Sequence, residues 1–168
     1  MVETRQSLIH AVTEIVLNQQ TQSLSGASNR ALLHALRADA CDASVRFGCG
    51  SEHCGACTVI VNGKAENACT LPLWASEHAQ VLTAKGLAQH PVGQHVLQAF
   101  MQEQAAQCGY CINGIMMRLT ALFAQNPQAN ESALREALSR HLCRCGTHAR
   151  ILRAARRAQQ AIQSSPSA

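Results

Sequence analysis

The sequence predicts an α+β protein with a small β-rich first half and an all-helical second half. Three observations point there. Before residue 70 the apolar residues form short runs, one of them closed by an Asn-Gly turn. From Ile112 to Phe123 they repeat at helical spacing. The nine cysteines fall into two groups, one in each half. We therefore expect one domain over residues 8–84 and a second over 90–163. A connecting stretch of mixed character is expected at 75–91.

The first half reads as follows. Ala11–Leu17 is a strand candidate with partial alternation. Asn18-Gln19-Gln20 turns it into a second strand near 21–24. Ser28 is placed to N-cap a helix over 29–38, with Leu32, Leu33 and Leu36 on one face. A Gly- and Cys-rich loop follows at 47–57. Thr58–Val61 is a strong strand signal, and Asn62-Gly63 favours a type I′ hairpin turn because both residues tolerate positive φ. Residues 64–69 then return antiparallel.

In the second half a helix is expected over 92–106. The next carries Ile112, Ile115, Met116, Leu119, Leu122 and Phe123 and stops before Pro127. Asn130 can cap a third helix, with Leu134, Leu138 and Leu142. Thr147 can cap a last one, with Ile151, Leu152 and Ile162. Four short helices bury a shared core as a bundle.

Composition narrows the classes. In 168 residues, 47% are hydrophobic and only 3% aromatic, so the core is aliphatic. A net charge of +4 lacks the basic excess of a nucleic-acid binder. No apolar run nears the ~20 residues of a membrane span. Met1-Val2-Glu3-Thr4-Arg5 starts no secretory signal, and Arg156-Arg157 lies too late for an export signal. The expected compartment is the cytoplasm, where clustered cysteines indicate metal rather than disulfides.

The first cysteine motif is Cys49-Gly-Ser-Glu-His-Cys54-Gly-Ala-Cys57, followed after eleven residues by Cys69. This is the plant-type spacing for a [2Fe–2S] cluster. Gly48, Gly50 and Gly55 let the loop fold tightly, so that backbone N–H groups can face the sulfurs. Four thiolates also suit structural zinc, but zinc commonly takes paired knuckles, whereas here one loop supplies three ligands. Cys41 fits no spacing and reads as a small buried hydrophobe. His53 reads as exposed.

The second motif is Cys108-Gly-Tyr-Cys111, then, after 31 residues, Cys143-Arg-Cys145. The first pair opens a helix, where the dipole favours thiolates. The second pair lies between helices. Two such pairs meeting across a bundle would hold a second cluster. A redox-active disulfide or a second zinc site are the rival readings. His141 and His148 flank the pair and are assigned no ligand role.

Both motifs, in this order, resemble the small subunit of the xanthine oxidase family of molybdenum hydroxylases. The resemblance spans residues 13–158. Glu103-Gln-Ala-Ala-Gln-Cys-Gly-Tyr-Cys-Ile-Asn-Gly114 and Leu142-Cys-Arg-Cys-Gly-Thr-His-Ala-Arg-Ile-Leu152 look most like small subunits of bacterial nicotinate dehydrogenase and isoquinoline 1-oxidoreductase. Two stretches depart from the pattern: 41–47 lacks the usual Gly-x-Lys run, and 71–80 is atypical. Neither removes a ligand.

The resemblance implies a plant-type ferredoxin-like (β-grasp) domain, followed by a four-helix [2Fe–2S] domain. It makes Cys49, Cys54, Cys57 and Cys69 the ligands of an outer cluster, and Cys108, Cys111, Cys143 and Cys145 those of an inner one. It matches Gln107 to a glutamine that hydrogen-bonds the pterin, and Cys145 to the ligand nearest that pterin. On this chain alone Gln107 would read as an exposed glutamine. No catalytic residue is expected here. A large partner subunit would hold molybdenum with molybdopterin cytosine dinucleotide and hydroxylate an N-heterocycle such as nicotinate. Electrons would pass through the inner and outer clusters to flavin (FAD) in a third subunit or to the haem c of a cytochrome module. The alternatives are the same role in an aldehyde, xanthine or CO oxidising complex, or a free-standing ferredoxin. Arg144 reads equally as a charge compensator or a solvated arginine. The basic run Arg150, Arg153, Arg156 and Arg157 reads as a solvated helix face or a docking surface.

Overall fold

The structure is a computed structural model, and it describes residues 11–165. The N-terminal residues read above as no leader, and the first three residues of the expected 8–84 domain, lie outside the described residues.

β1 (Ala11–Leu17) and β2 (Gln20–Gly26) form the expected antiparallel pair. Asn18 and Gln19 turn the chain between them with φ of 49° and 71°. β3 (Thr58–Val61) and β4 (Lys64–Asn67) form the expected hairpin. Its turn residues Asn62 and Gly63 have φ of 48° and 79°, as a type I′ turn requires. A fifth strand, β5 (Gln80–Leu82), has no counterpart in the sequence reading. It runs parallel to β1 and antiparallel to β3, so the sheet order is β2-β1-β5-β3-β4. The stretch expected to be a linker thus supplies the central strand.

α1 (Leu32–Ala38) starts three residues later than expected, and Ser28 does not cap it. Ala31 instead bridges to Pro72, and the amides of Leu32 and Leu33 donate to the carbonyls of Leu71 and Ala68. The helix's first free N–H groups are thereby satisfied by backbone, so no side-chain cap is needed. Leu32, Leu33 and Leu36 are buried against the sheet with Ile15, Val59 and Val81.

The second half holds α2 (Gly93–Gln102), α3 (Ile112–Gln125), α4 (Glu131–Leu138) and α5 (His148–Ser164). β3 explains how the halves join. Val59 and Val61 belong to the core under α1, whereas Ile60 belongs to the helical core with Ile115 and Leu119. Successive strand side chains point to opposite faces, so a strand covered on both sides reads as continuously apolar. The sheet therefore lies between α1 and the helical half.

The Asn130 side chain caps α4, accepting from the Ala133 amide at 2.9 Å. Asn130→Ala should cost about 1 kcal/mol, read as a fall in Tm of roughly 2–4 °C. Leu142, expected on α4, lies beyond its end and is 61% exposed.

α5 buries Ile151, Ala154, Ala155 and Ala158 along one face. Three of its arginines, though half-exposed, are paired within the chain. Arg153 and Arg157 grip Glu103 at 3.2 and 2.7 Å, and Arg156 reaches Glu131 at 2.8 Å. The hydrogen bonds from Arg157 and then Arg153 hold the Glu103 carboxyl below its usual range. A carboxyl depressed in the fold adds stability above its unfolded pKa, and loses it as pH falls through the lower, folded value. We expect Tm to decline on acidification below about pH 4.5, with a shallower decline in Glu103→Gln. Equal slopes in the two proteins would show that the clamp contributes nothing.

Among the described residues no helix is long and apolar enough to cross a membrane.

Candidate metal centres

The first thiol set gathers around the loop between α1 and β3. Gly50 and Gly55 have φ of 70° and 67°, so the loop reverses twice. Gly48 serves differently: a Cβ there would lie 2.5 Å from the Cys54 sulfur. The folded loop turns amides onto sulfur. His53 N–H and Ser51 N–H donate to Cys49 Sγ at 3.2 and 3.4 Å, and Cys49 N–H donates to Cys54 Sγ at 3.3 Å. Led by the Ser51 amide, the bonds made to Cys49 Sγ hold its thiol down at about 6. Cys57 is the opposite case. Only 2% exposed at the foot of β3, its thiol is pushed up to about 12, by burial first.

Cys69 follows β4; it and Cys54 both act on the Cys57 thiol, and Cys54 also acts on Cys49. The second set repeats the scheme. Cys111 is the N-cap residue of α3, and Cys143 and Cys145 lie between α4 and α5. Cys145 and Cys143 act on the Cys108 thiol, and Cys143 and Cys108 act on that of Cys111. Burial pushes Cys111 up to about 12, with Cys143 adding to it. Burial acts on Cys143 too, but the Thr147 hydroxyl and amide outweigh it and lower that thiol.

Among the described residues no group of three or more His, Cys, Asp or Glu is already gathered to hold a metal ion. A [2Fe–2S] cluster takes four thiolates, and each motif supplies four cysteines. Each set contains one thiol raised by burial to about 12 and another whose pKa is lowered. The buried one gives up its proton only to a strong positive charge, which iron supplies.

Cys41 and Thr147 differ from expectation, whereas His53 is exposed as expected. Cys41 is exposed, not buried, and sits at φ 49°. Thr147 occupies the N-cap position of α5 but makes no capping bond, since its hydroxyl faces Cys143 Sγ at 3.2 Å. His53, Arg144 and Gln107 are exposed, and Cys145 is half-buried.

The sequence reading missed the contacts that join the two sets. Tyr110 donates its hydroxyl to the Phe47 carbonyl, and Asn113 donates to the Ser44 carbonyl at 2.9 Å. Leu142 N–H donates to the Cys54 carbonyl at 3.1 Å. Gly114 of α3 packs onto the Gly55 carbonyl so closely that a Cβ has no room. None of these contacts has a spacing signature, because each joins residues far apart in sequence.

Residues 15–87 match the family described as 2Fe-2S iron-sulfur cluster binding domain, and residues 83–156 match the [2Fe-2S] binding domain. The chain is 44% identical to a nicotinate dehydrogenase subunit from Pseudomonas putida, over 86% of this chain and 92% of that one. It is 40% identical to the alpha subunit of isoquinoline 1-oxidoreductase from Brevundimonas diminuta, over 86% and 95%. The chain belongs to the family of small [2Fe–2S] subunits of molybdenum hydroxylases.

Small subunits of this family are redox components of oxidoreductase complexes, and the role of this one is electron transfer. The fold agrees. Quinoline 2-oxidoreductase of Pseudomonas putida 86 superposes with a TM-score of 0.82 at 23% identity, over 94% of this chain and 99% of that one. The ferredoxin-like half followed by the helical half is thus the architecture of these small subunits.

Proposed function

We propose that this chain carries electrons from the molybdenum–pterin centre of a large partner subunit through two [2Fe–2S] clusters to an acceptor. The reaction served is hydroxylation of an N-heterocycle such as nicotinate, since the two relatives above act, by their names, on such rings. The observation that carries the reading is the two four-cysteine motifs, one on each of two halves that pack directly on each other.

Cys49, Cys54, Cys57 and Cys69 hold the outer cluster in this reading. Cys108, Cys111, Cys143 and Cys145 hold the inner one. Their domains span 8–84 and 90–163. Bound clusters supply one-electron chemistry, which splits a two-electron oxidation into single steps. The chain supplies the rest. The Ser51 and His53 amides stabilise negative charge at Cys49 Sγ, and the Thr147 hydroxyl does so at Cys143 Sγ. Burial of Cys57 and half-burial of Cys111 limit water at those sulfurs. Gln107, exposed beside Cys108, offers an amide donor and acceptor to a pterin edge, with Cys145 as the nearest ligand. The partner holds molybdopterin cytosine dinucleotide with molybdenum, and a flavin subunit or cytochrome c module takes the electrons in the cytoplasm.

The test is gentle purification from the native host, followed by iron and molybdenum determination. Molybdenum with a co-eluting large chain, active on nicotinate or a related heterocycle, is the expected result. Iron without molybdenum or partner would make the protein a free-standing ferredoxin and remove the roles given to Gln107 and Cys145.

A further inference from the structure

One buried imidazole lies between the two thiol sets. His141 is 5% exposed and follows the end of α4, where its amide donates to the Leu138 carbonyl at 2.9 Å. Its backbone therefore belongs to the helical half, two residues before Cys143. Its ring belongs to the other half. A Cβ built on Gly55, between Cys54 and Cys57, would lie 2.5 Å from ring Cδ2 and 2.7 Å from Nε2. Nε2 is 3.2 Å from Oγ1 of Thr58, the residue after Cys57.

The hydrogen bonding fixes the ring's tautomer. Thr58 Oγ1 donates its one hydrogen to the Gly55 carbonyl at 2.8 Å. Toward His141 it is then an acceptor, so the imidazole presents Nε2–H. Nδ1 has no protein partner, which leaves Thr58 as the ring's polar anchor among the described residues. The next peptide adds a backbone tie, from Leu142 N–H to the Cys54 carbonyl at 3.1 Å. A flat, buried ring pressed on a glycine and tied at one nitrogen is a rigid spacer. It is attached within two residues of a thiol on each side.

We propose that His141 is a positioning residue that sets the separation and orientation of the two cluster-bearing loops, and through them electron exchange between the clusters. The proposal rests on the two-cluster reading above. Gly55 is the counterpart that makes room for the ring. Without the ring, the loop at 54–57 loses its stop against the helical half and settles at a different distance. Electron exchange falls steeply with distance, and the magnetic splitting between two reduced clusters falls as its inverse cube. A small displacement therefore has a direct spectroscopic signature.

The experiment uses the complex purified with its large partner, reduced with dithionite, and read by low-temperature electron paramagnetic resonance. Wild type comes first. Absence of two reduced-cluster signals there would remove the two-cluster reading itself, independently of any variant. Given two signals, His141→Ala should keep both clusters yet change the splitting between them and slow re-oxidation of the inner cluster through the outer. His141→Gln, whose amide nitrogen can reach Thr58, should restore much of the wild-type splitting. If His141→Ala fails to assemble, Thr58→Val decides: it keeps the side chain's shape and removes the hydroxyl that anchors the ring and also donates to the Gly55 carbonyl. It should change the splitting in the same sense. Two assembled clusters with wild-type splitting and re-oxidation in His141→Ala would overturn the proposal, as would wild-type behaviour in Thr58→Val if the alanine variant does not assemble.

Discussion

Gly114→Ala is expected to destabilise the protein by roughly 2 kcal/mol, although alanine is the better helix former. Gly114 lies in the first turns of α3, where alanine should gain about 1 kcal/mol in helix propensity. Against that, the added Cβ would overlap the Gly55 carbonyl oxygen and come within 3.1 and 3.2 Å of the Gly55 and Ala56 carbonyl carbons. The obstacle is backbone, not a flexible side-chain tip, so either α3 or the loop must move. Overpacking of this kind costs about 1–3 kcal/mol in ordinary cores, and a backbone obstacle belongs at or above the upper end. The expected fall in Tm is about 4–8 °C. The loop that must move carries Cys54 and Cys57, so the outer-cluster signal should change shape while the inner one stays close to wild type. An unchanged Tm in Gly114→Ala would show that the two halves are not in van der Waals contact in solution.

Cys57→Ser should have the larger effect. Cys57 is the most buried of the eight candidate ligands, and its thiol is pushed up to about 12. A serine hydroxyl there is harder still to ionise and is a poor ligand for iron. The outer cluster should be lost, and its binding free energy leaves with it. A group that binds only the folded state, at a thousand times its dissociation constant, contributes about 4 kcal/mol. That corresponds to a fall in Tm of roughly 10 °C. Cys41→Ser is the control. Cys41 is exposed and belongs to neither set, so its replacement should leave iron content and Tm unchanged.

How much of this was legible in the sequence depends on the range of the interactions. The β3–β4 hairpin was readable because Asn62-Gly63 states its own turn chemistry. The Asn130 cap was readable because its bond spans three residues. β5 was not, since Gln80-Val81-Leu82 is too short to show a period and is a strand only because β1 and β3 lie on either side of it. Ser28 misled for a related reason: the start of α1 is capped by backbone from 68–71, which only the fold brings near. At the site, the cysteine spacings single out both motifs, because three cysteines in one loop, or two at the start of a helix, leave a local pattern. The contacts of Tyr110, Asn113 and Gly114 with the first loop carry no such mark. Nor does His141, a lone histidine whose meaning comes from Gly55 and Thr58 across the interface. The arginines of α5 read as a free basic face because Glu103, their partner, lies about fifty residues earlier.

The central claim is that this one chain holds two [2Fe–2S] clusters on two separate thiol sets. The most direct measurement is electron paramagnetic resonance of the dithionite-reduced protein, with iron content, for wild type, Cys57→Ser and Cys111→Ser. Two distinct reduced-cluster signals are expected in wild type. The first variant should lose one signal and the second the other, each with half of the iron. A single signal in wild type, or the same signal lost from both variants, would contradict the account.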